Sequence, residues 1–338
     1  MTDTFHPPWE DAAWRAEARA WVEARLAERG LRLTAQLEQV HITAWSTVLL
    51  APTDQGSAYF KAGAPNQAFE AGLVEALAAW APEGVLNPWA VDAERGWMLL
   101  PDGGRTLRQA GLEGAAQRKA WTGMLQRYAQ LQQALAGRAD ELLALGVPDR
   151  RPRALPASFA LFERDKALLR LGEEDGLSAA QYARLLGMRE QLEAWCAALE
   201  ASGPPASIEH GDLHSGNVFY GPSGALKIFD WGDATLSHPF FSLMVPLRVL
   251  GNELEQLDGR ERLENDPDLE WARRAYLEPW TKHAPMPELL EIWDIALRVG
   301  AFQRSLAWHA VLKLFPADSV VEFRGRWAAW LQDFIGAD

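Results

Sequence analysis

Between residues 9 and 28 the apolar side chains Trp14, Ala18, Trp21, Val22 and Leu26 recur on one helical stripe, while Glu17, Arg19 and Glu23 fall elsewhere. That period predicts an amphipathic helix, which Gly30 ends. The pattern then changes to extended runs over 37–42, 47–50 and 58–62, with turn chemistry at Asp54-Gln55-Gly56. An antiparallel hairpin is the expectation. Helical spacing returns with Phe69, Leu73, Leu77 and Trp80, for which Asn66 is the expected N-cap, and 97–100 reads as a short strand ended by Pro101-Asp102-Gly103-Gly104.

Beyond that loop the chain turns to long helices. Trp121, Leu125, Tyr128, Leu131 and Leu135 make one stripe, and Tyr182, Leu185, Leu192, Trp195 and Leu199 make a second that Gly203-Pro204-Pro205 stops. A compact stretch follows that has no amphipathic period: 208–217, a strand at 218–220, a turn over 221–224, and a strand at 226–229 running into Asp230-Trp231-Gly232-Asp233. From about Ser242 the pattern is helical again. The fold class expected is α+β, with a small, partly β N-lobe over 1–100 and a larger helical C-lobe over 101–338.

Composition narrows the class. With 48% hydrophobic and 23% charged residues among 338, there is enough apolar surface to offset chain entropy, so a folded protein is expected. The formal charge of −13 repels phosphate backbones, which speaks against a nucleic-acid binder. The single cysteine, Cys196, can form neither an intramolecular disulfide nor a cysteine-based zinc site. No run of apolar residues is long enough for a membrane span, and no targeting segment opens the chain, so a soluble cytoplasmic protein is expected. The pattern is silent on oligomeric state.

The candidate chemistry is concentrated in Ile208-Glu209-His210-Gly211-Asp212-Leu213-His214-Ser215-Gly216-Asn217. A carboxylate that orients a hydroxyl must be held within hydrogen-bond reach of it, and a loop pinned by a following hairpin does this. The hairpin returns the chain, bringing Asp230 toward Asn217, and their oxygens suit a hard cation such as Mg²⁺. An Asp, an Asn five residues later, two strands and an Asp-aromatic-Gly follow the order of the protein-kinase catalytic elements.

These paired motifs, His210 to Asn217 and Ile228 to Asp233, resemble the aminoglycoside phosphotransferase and choline kinase-like superfamily of small-molecule kinases. Trp45-Ser46-Thr47-Val48-Leu49, Tyr59-Phe60-Lys61, the segment from Trp97 to Gly104, and His238-Pro239-Phe240 extend the likeness over most of the chain. The resemblance implies a protein-kinase-like bilobal fold, ATP or GTP as donor, Mg²⁺, and a small-molecule hydroxyl acceptor. It makes Asp212 the catalytic base, Asn217 and Asp230 the metal ligands, and Lys61 the holder of the α- and β-phosphates. Glu70, at the edge of the buried face of its helix, is chosen over Glu75 to hold Lys61. His210 is expected to brace the loop and His214 to act on the transferred phosphate. Asp233 either aids the metal or caps a turn.

Where protein kinases carry a glycine-rich loop, Thr43-Ala44-Trp45-Ser46-Thr47 has no glycine. The hydroxyls of Ser46 and Thr47, or backbone N–H groups of this turn, are the expected substitutes. Leu99 and Leu100 are the expected adenine connector, with Pro101 lacking an N–H. Acidic residues from Glu253 to Glu270, with Trp271, Trp280, Trp293 and Trp308, suggest an amine-bearing acceptor held by charge and cation–π attraction. Two other readings stand beside the kinase. One is a nucleotide-binding pseudokinase without turnover. The other is a metallohydrolase in which His210, Asp212 and His214 face one metal.

Overall fold

The computed structural model describes residues 4–222 and 224–336. Asp11 caps the first helix, α1 (Ala12–Ala27), its carboxylate accepting the Trp14 N–H at 2.8 Å. The expected hairpin belongs to a five-stranded antiparallel sheet of β1 (Glu38–Ile42), β2 (Ser46–Thr53), β3 (Gly56–Gly63), β4 (Ala90–Asp92) and β5 (Trp97–Pro101), in the order β1-β2-β3-β5-β4. Gly56 turns the hairpin at φ +117°, where an L side chain is strained. Alternation along β3 puts Ala58 and Phe60 in the core behind the sheet. Trp14 and Trp21 of α1 close that core edge-on against Phe60 and Trp97.

Helix α2 (Phe69–Trp80) begins without the expected cap. Its N-cap position is Ala68, and the Asn66 side-chain oxygen is buried without a partner. The chain enters through a tight turn, Gln67 N–H to the Ala64 carbonyl and Glu70 N–H to the Gln67 carbonyl, so backbone rather than a side chain meets the first amides.

The helical part comprises α3 (Gly114–Leu135), α4 (Ala139–Ala144), α5 (Leu161–Arg164), α6 (Ala179–Leu186), α7 (Arg189–Ala201), α8 (Met244–Asp258), α9 (Glu270–Leu277), α10 (Met286–Leu314) and α11 (Arg326–Ile335). Within it, β6 (Ser207–Glu209) pairs with β9 (Thr235–Ser237), and β7 (Val218–Tyr220) pairs with β8 (Leu226–Ile228). The pairing of β6 with β9 is absent from the sequence reading, because three-residue strands are too short to show a period. Together the two pairs fix both ends of the polar stretch. Trp121, Trp231, Trp280, Trp293 and Trp327 are fully buried in the large core. Val311, Phe315 and Val320 instead pack with the sheet's core, so the C-terminal region reaches back to the N-terminal one. Among the described residues no helix is long and apolar enough to cross a membrane.

Candidate active site

A cavity of about 460 Å³ lies between the sheet and the helical part, and Lys61, Glu70, Asp212 and Asp230 all line it. Tyr59 and Lys61 share the cavity face of β3, as alternation requires. Lys61 Nζ donates to Glu70 Oε1 at 2.7 Å and to Asp230 Oδ1 at 2.5 Å, and Glu70 Oε1 also accepts the Trp231 N–H at 2.9 Å. Burial would strip the charge from Lys61, but the two carboxylates outweigh it and raise its pKa. Burial pushes Glu70 up, opposed by Lys61. Glu75 is exposed, on the other side of α2.

The loop carrying Asp212 is shaped by Gly211, at φ +78°. A Cβ there would lie 2.3 Å from the Asp233 carbonyl oxygen, so only glycine fits. His210 is buried and its two nitrogens are engaged: Nε2 donates to the Phe229 carbonyl at 2.9 Å and Nδ1 accepts the Asp212 N–H at 3.3 Å. Burial lowers its pKa, in keeping with a neutral ring that braces the loop. With both nitrogens spent, His210 cannot join Asp212 and His214 around one metal, and the described residues hold no group of three or more His, Cys, Asp or Glu arranged for a metal.

Asn217 Nδ2 donates to the Asp212 carbonyl at 2.9 Å and to Asp212 Oδ2 at 3.2 Å. His214 accepts the Gly216 N–H on Nδ1 at 2.9 Å, which leaves its Nε2 proton facing Asp212 Oδ2 at 3.4 Å. Burial pushes Asp212 up, but His214 and Arg304 together outweigh it and hold the carboxyl at about 2. Because Asn217 turns its nitrogen to Asp212, its Oδ1 is the atom left to meet a cation. Asp230, with Oδ1 on Lys61, likewise leaves Oδ2. That all-oxygen pair fits Mg²⁺, which keeps waters and substrate phosphates as its other ligands. Asp230 sits at φ +66°, a strained backbone for a non-glycine residue, of the kind that clusters at functional sites.

Other expected residues are placed differently. Ser46 lines the cavity, but Thr47 does not: its hydroxyl donates to the His41 carbonyl at 3.1 Å and accepts from Gln39 at 2.9 Å. The glycine-free turn is closed on itself, Thr43 N–H to the Ser46 carbonyl and Ser46 N–H to Thr43 Oγ1, while the Trp45 ring packs edge-on against Trp308 and Phe323. Leu100 lines the cavity with Pro101 and Asp102, whereas Leu99 is buried behind the sheet with its carbonyl accepting the Trp89 N–H.

The acidic run from Glu253 to Glu270 lies outside the cavity. Arg260 and Arg262 pair with Asp258, Asp266 and Asp268, Arg248 pairs with Glu264, and Arg274 pairs with Glu270. Trp280 and Trp293 are core residues, and Trp271 stacks under Arg118. Only Trp308 of that group lines the cavity.

Asp233 neither stands free for metal nor caps a turn. Its Oδ1 accepts from Gln67 Nε2 at 3.1 Å and its Oδ2 from Arg304 Nη1 at 3.0 Å. Gln67 and Arg304 are the site residues that sequence reasoning missed. Gln67 sits in a turn with no motif. Arg304 lies within a long helix, where a single charge on an apolar face was the one available signal.

The fold is shared with several solved kinases of small molecules. The macrolide 2'-phosphotransferase MphH from Brachybacterium faecium is 20% identical, with a TM-score of 0.52 over 93% of this chain and 98% of that one. The choline kinase LicA from Streptococcus pneumoniae is 14% identical, with a TM-score of 0.55 over 93% and 99%. A thermostable aminoglycoside phosphotransferase, APH(4)-Ia, in ternary complex with AMP-PNP and hygromycin B, is 16% identical, with a TM-score of 0.52 over 94% and 99%. Among curated proteins none matches the chain significantly by sequence. The sequence model of the phosphotransferase enzyme family matches residues 64–277, from the turn before α2 to the end of α9 and so across the Asp212 loop and the Asp230 segment, and the chain belongs to that family.

Proposed function

We propose that this phosphotransferase moves the γ-phosphoryl group of ATP or GTP to a hydroxyl of a small molecule. The observation that carries the reading is the meeting, in one cavity, of the Lys61–Glu70 pair with Asp212 and Asp230, while Asn217 bonds Asp212 from behind the lining. In the division we propose, residues 1–100 hold the nucleotide through Lys61, Glu70, Ser46 and the connector at Leu100, and residues 101–338 supply the catalytic loop and the acceptor side. Asn217 and Asp230 would hold Mg²⁺, which when bound neutralises phosphate charge. Lys61 fixes the α- and β-phosphates.

The acceptor oxygen attacks the γ-phosphorus while the bond to the β–γ bridging oxygen breaks. The nucleoside diphosphate leaves with that electron pair. Asp212 orients the hydroxyl, takes its proton and releases it to water. His214, whose Nε2 faces Asp212 Oδ2 at 3.4 Å and which does not line the cavity, acts by fixing that carboxylate.

An amine-bearing acceptor, an aminoglycoside-like compound or an amino alcohol, heads the panel to be tried. Support comes from the cavity itself, where Asp102, Asp212, Asp230, Asp233 and Glu70 outnumber Lys61 and Arg304, and where Trp45 and Trp308 are among the lining residues. A cytoplasmic location is part of the same proposal, supported by the nucleotide that the reaction consumes.

The test is consumption of ATP and of GTP over a panel of hydroxyl and amine compounds, with the phosphorylated product confirmed by mass. Asp212→Asn should keep nucleotide affinity and lose about 10²–10⁴ in kcat. Nucleotide binding with no turnover on any acceptor would turn the reading to a pseudokinase, and near-normal turnover in Asp212→Asn would remove Asp212 from the mechanism.

A further inference from the structure

Arg304 is 8% exposed, lines the cavity, and belongs to α10, beyond the residues that the family model covers. Its Nη1 binds Asp233 Oδ2 at 3.0 Å and its Nη2 lies 3.7 Å from Asp212 Oδ1, while its Nε is buried without a partner. Burying a guanidinium costs several kcal/mol unless it is paired, so a place this deep calls for a reason. Asp233 pairs with Nη1 alone, its other oxygen being held by Gln67, which leaves Nη2 directed at Asp212.

The reason lies in how the two oxygens of Asp212 are used. Oδ2 is tied down by Asn217 at 3.2 Å and faces His214 at 3.4 Å. Oδ1 faces Arg304 at a separation too long for a hydrogen bond. Coulomb attraction still acts across that gap, and the lone pair of Oδ1 stays available to a substrate hydroxyl. A closer guanidinium would take one acceptor direction of Oδ1 and crowd the approach of the hydroxyl, and a more distant one would orient the free oxygen less firmly.

We infer that Arg304 is the positioning residue for phosphoryl transfer. Anchored on Asp233, it holds Asp212 Oδ1 aimed at the acceptor hydroxyl without consuming the bond that the hydroxyl needs. The inference rests on the kinase reading above. Gln67 completes the device: by fixing Asp233 from the turn that leads into α2, it ties the aim of the base to the same element that carries Glu70. Along α10, residues 304, 307, 308 and 311 recur at helical spacing and all line the cavity, so this helix face offers a wall to the acceptor that Arg304 would serve.

The experiment measures kcat and both KM values for the wild type, Arg304→Ala, Arg304→Gln and Arg304→Lys, with and without added guanidinium ion, after melting curves establish folding. A misaimed base should lower kcat about 10²-fold in Arg304→Ala while the nucleotide KM stays within about twofold, with Arg304→Lys intermediate. Guanidinium should restore part of the Arg304→Ala rate and none of the Asp212→Asn rate. Arg304→Gln serves if the alanine variant does not fold. Failure of both to fold, a kcat within threefold of wild type, or a loss without guanidinium rescue would each overturn the inference in favour of a structural arginine. A wild type that transfers no phosphoryl group would instead overturn the kinase reading on which it rests.

Discussion

Lys61 and Glu70 are 7% and 2% exposed, so removing one strands the other in a medium that penalises lone charge. In Lys61→Met the Glu70 carboxylate keeps only the Trp231 N–H at 2.9 Å, and breaking a buried pair in this way costs about 3–4 kcal/mol. In Glu70→Met the lysine keeps Asp230, whose side chain is nearly half exposed, so the loss should be smaller, about 2–3 kcal/mol. The double variant buries no lone charge on this pair. It leaves the Trp231 N–H without its acceptor and Asp230 facing water, which together cost about 2 kcal/mol. Stability from urea denaturation at neutral pH, on all four proteins, should therefore show the double variant less damaged than Lys61→Met alone. Losses that simply add, or a Lys61→Met protein as stable as wild type, would refute the account of this pair as mutually dependent.

Two further outcomes follow from the same geometry. Asp230→Ala should weaken Mg²⁺-dependent nucleotide binding more than Asp233→Ala does, because Asp233 is spent on Gln67 and Arg304; a Mg²⁺ titration showing the opposite order would misplace the metal site. Asp165, raised by burial but held at about 2 by Lys313, His309 and Arg164, contributes stability that is present above the ordinary carboxylate range and lost as pH falls from about 4 toward 2. The stability gap between wild type and Asp165→Asn, about 1–2 kcal/mol at pH 6, should narrow below about pH 4 and be mostly gone by about pH 2 in denaturation series, and a gap that widens on acidification would contradict the sign.

What was legible in the sequence was what local pattern encodes. The alternation around Lys61 and the helical position of Glu70 place both residues where the structure has them, because strand and helix periods decide which face a side chain takes. The density of polar residues from His210 to Asn217 likewise marks the loop. What escaped depends on partners far along the chain. The acidic run after Glu253 reads as a free charged surface until Arg260 and Arg262 are seen folded onto it. Thr47 has the right residue type for a phosphate contact, yet Gln39 and His41 of the neighbouring strand β1 take the hydroxyl. Arg304 lies 92 residues from Asp212 in sequence, and no periodicity reports which carboxylate an arginine will meet.

The face of α10 that meets the cavity also bears on how such an enzyme changes its substrate over generations. Ala307, Trp308 and Val311 line the cavity beyond the family-matched segment, while Phe302, Ser305 and Leu306 lie buried in the interior. In the proposed reaction, replacement of Ala307 would reshape the cavity wall beside Arg304 and leave the Lys61–Glu70 pair and the Asp212 loop unaltered, whereas Trp308 and Val311 also pack with the sheet's core. A lineage with the proposed activity would therefore change its acceptor first at position 307, the step on this stripe that disturbs packing least, and only later at 308 and 311, where a change of cavity shape is also a change of core.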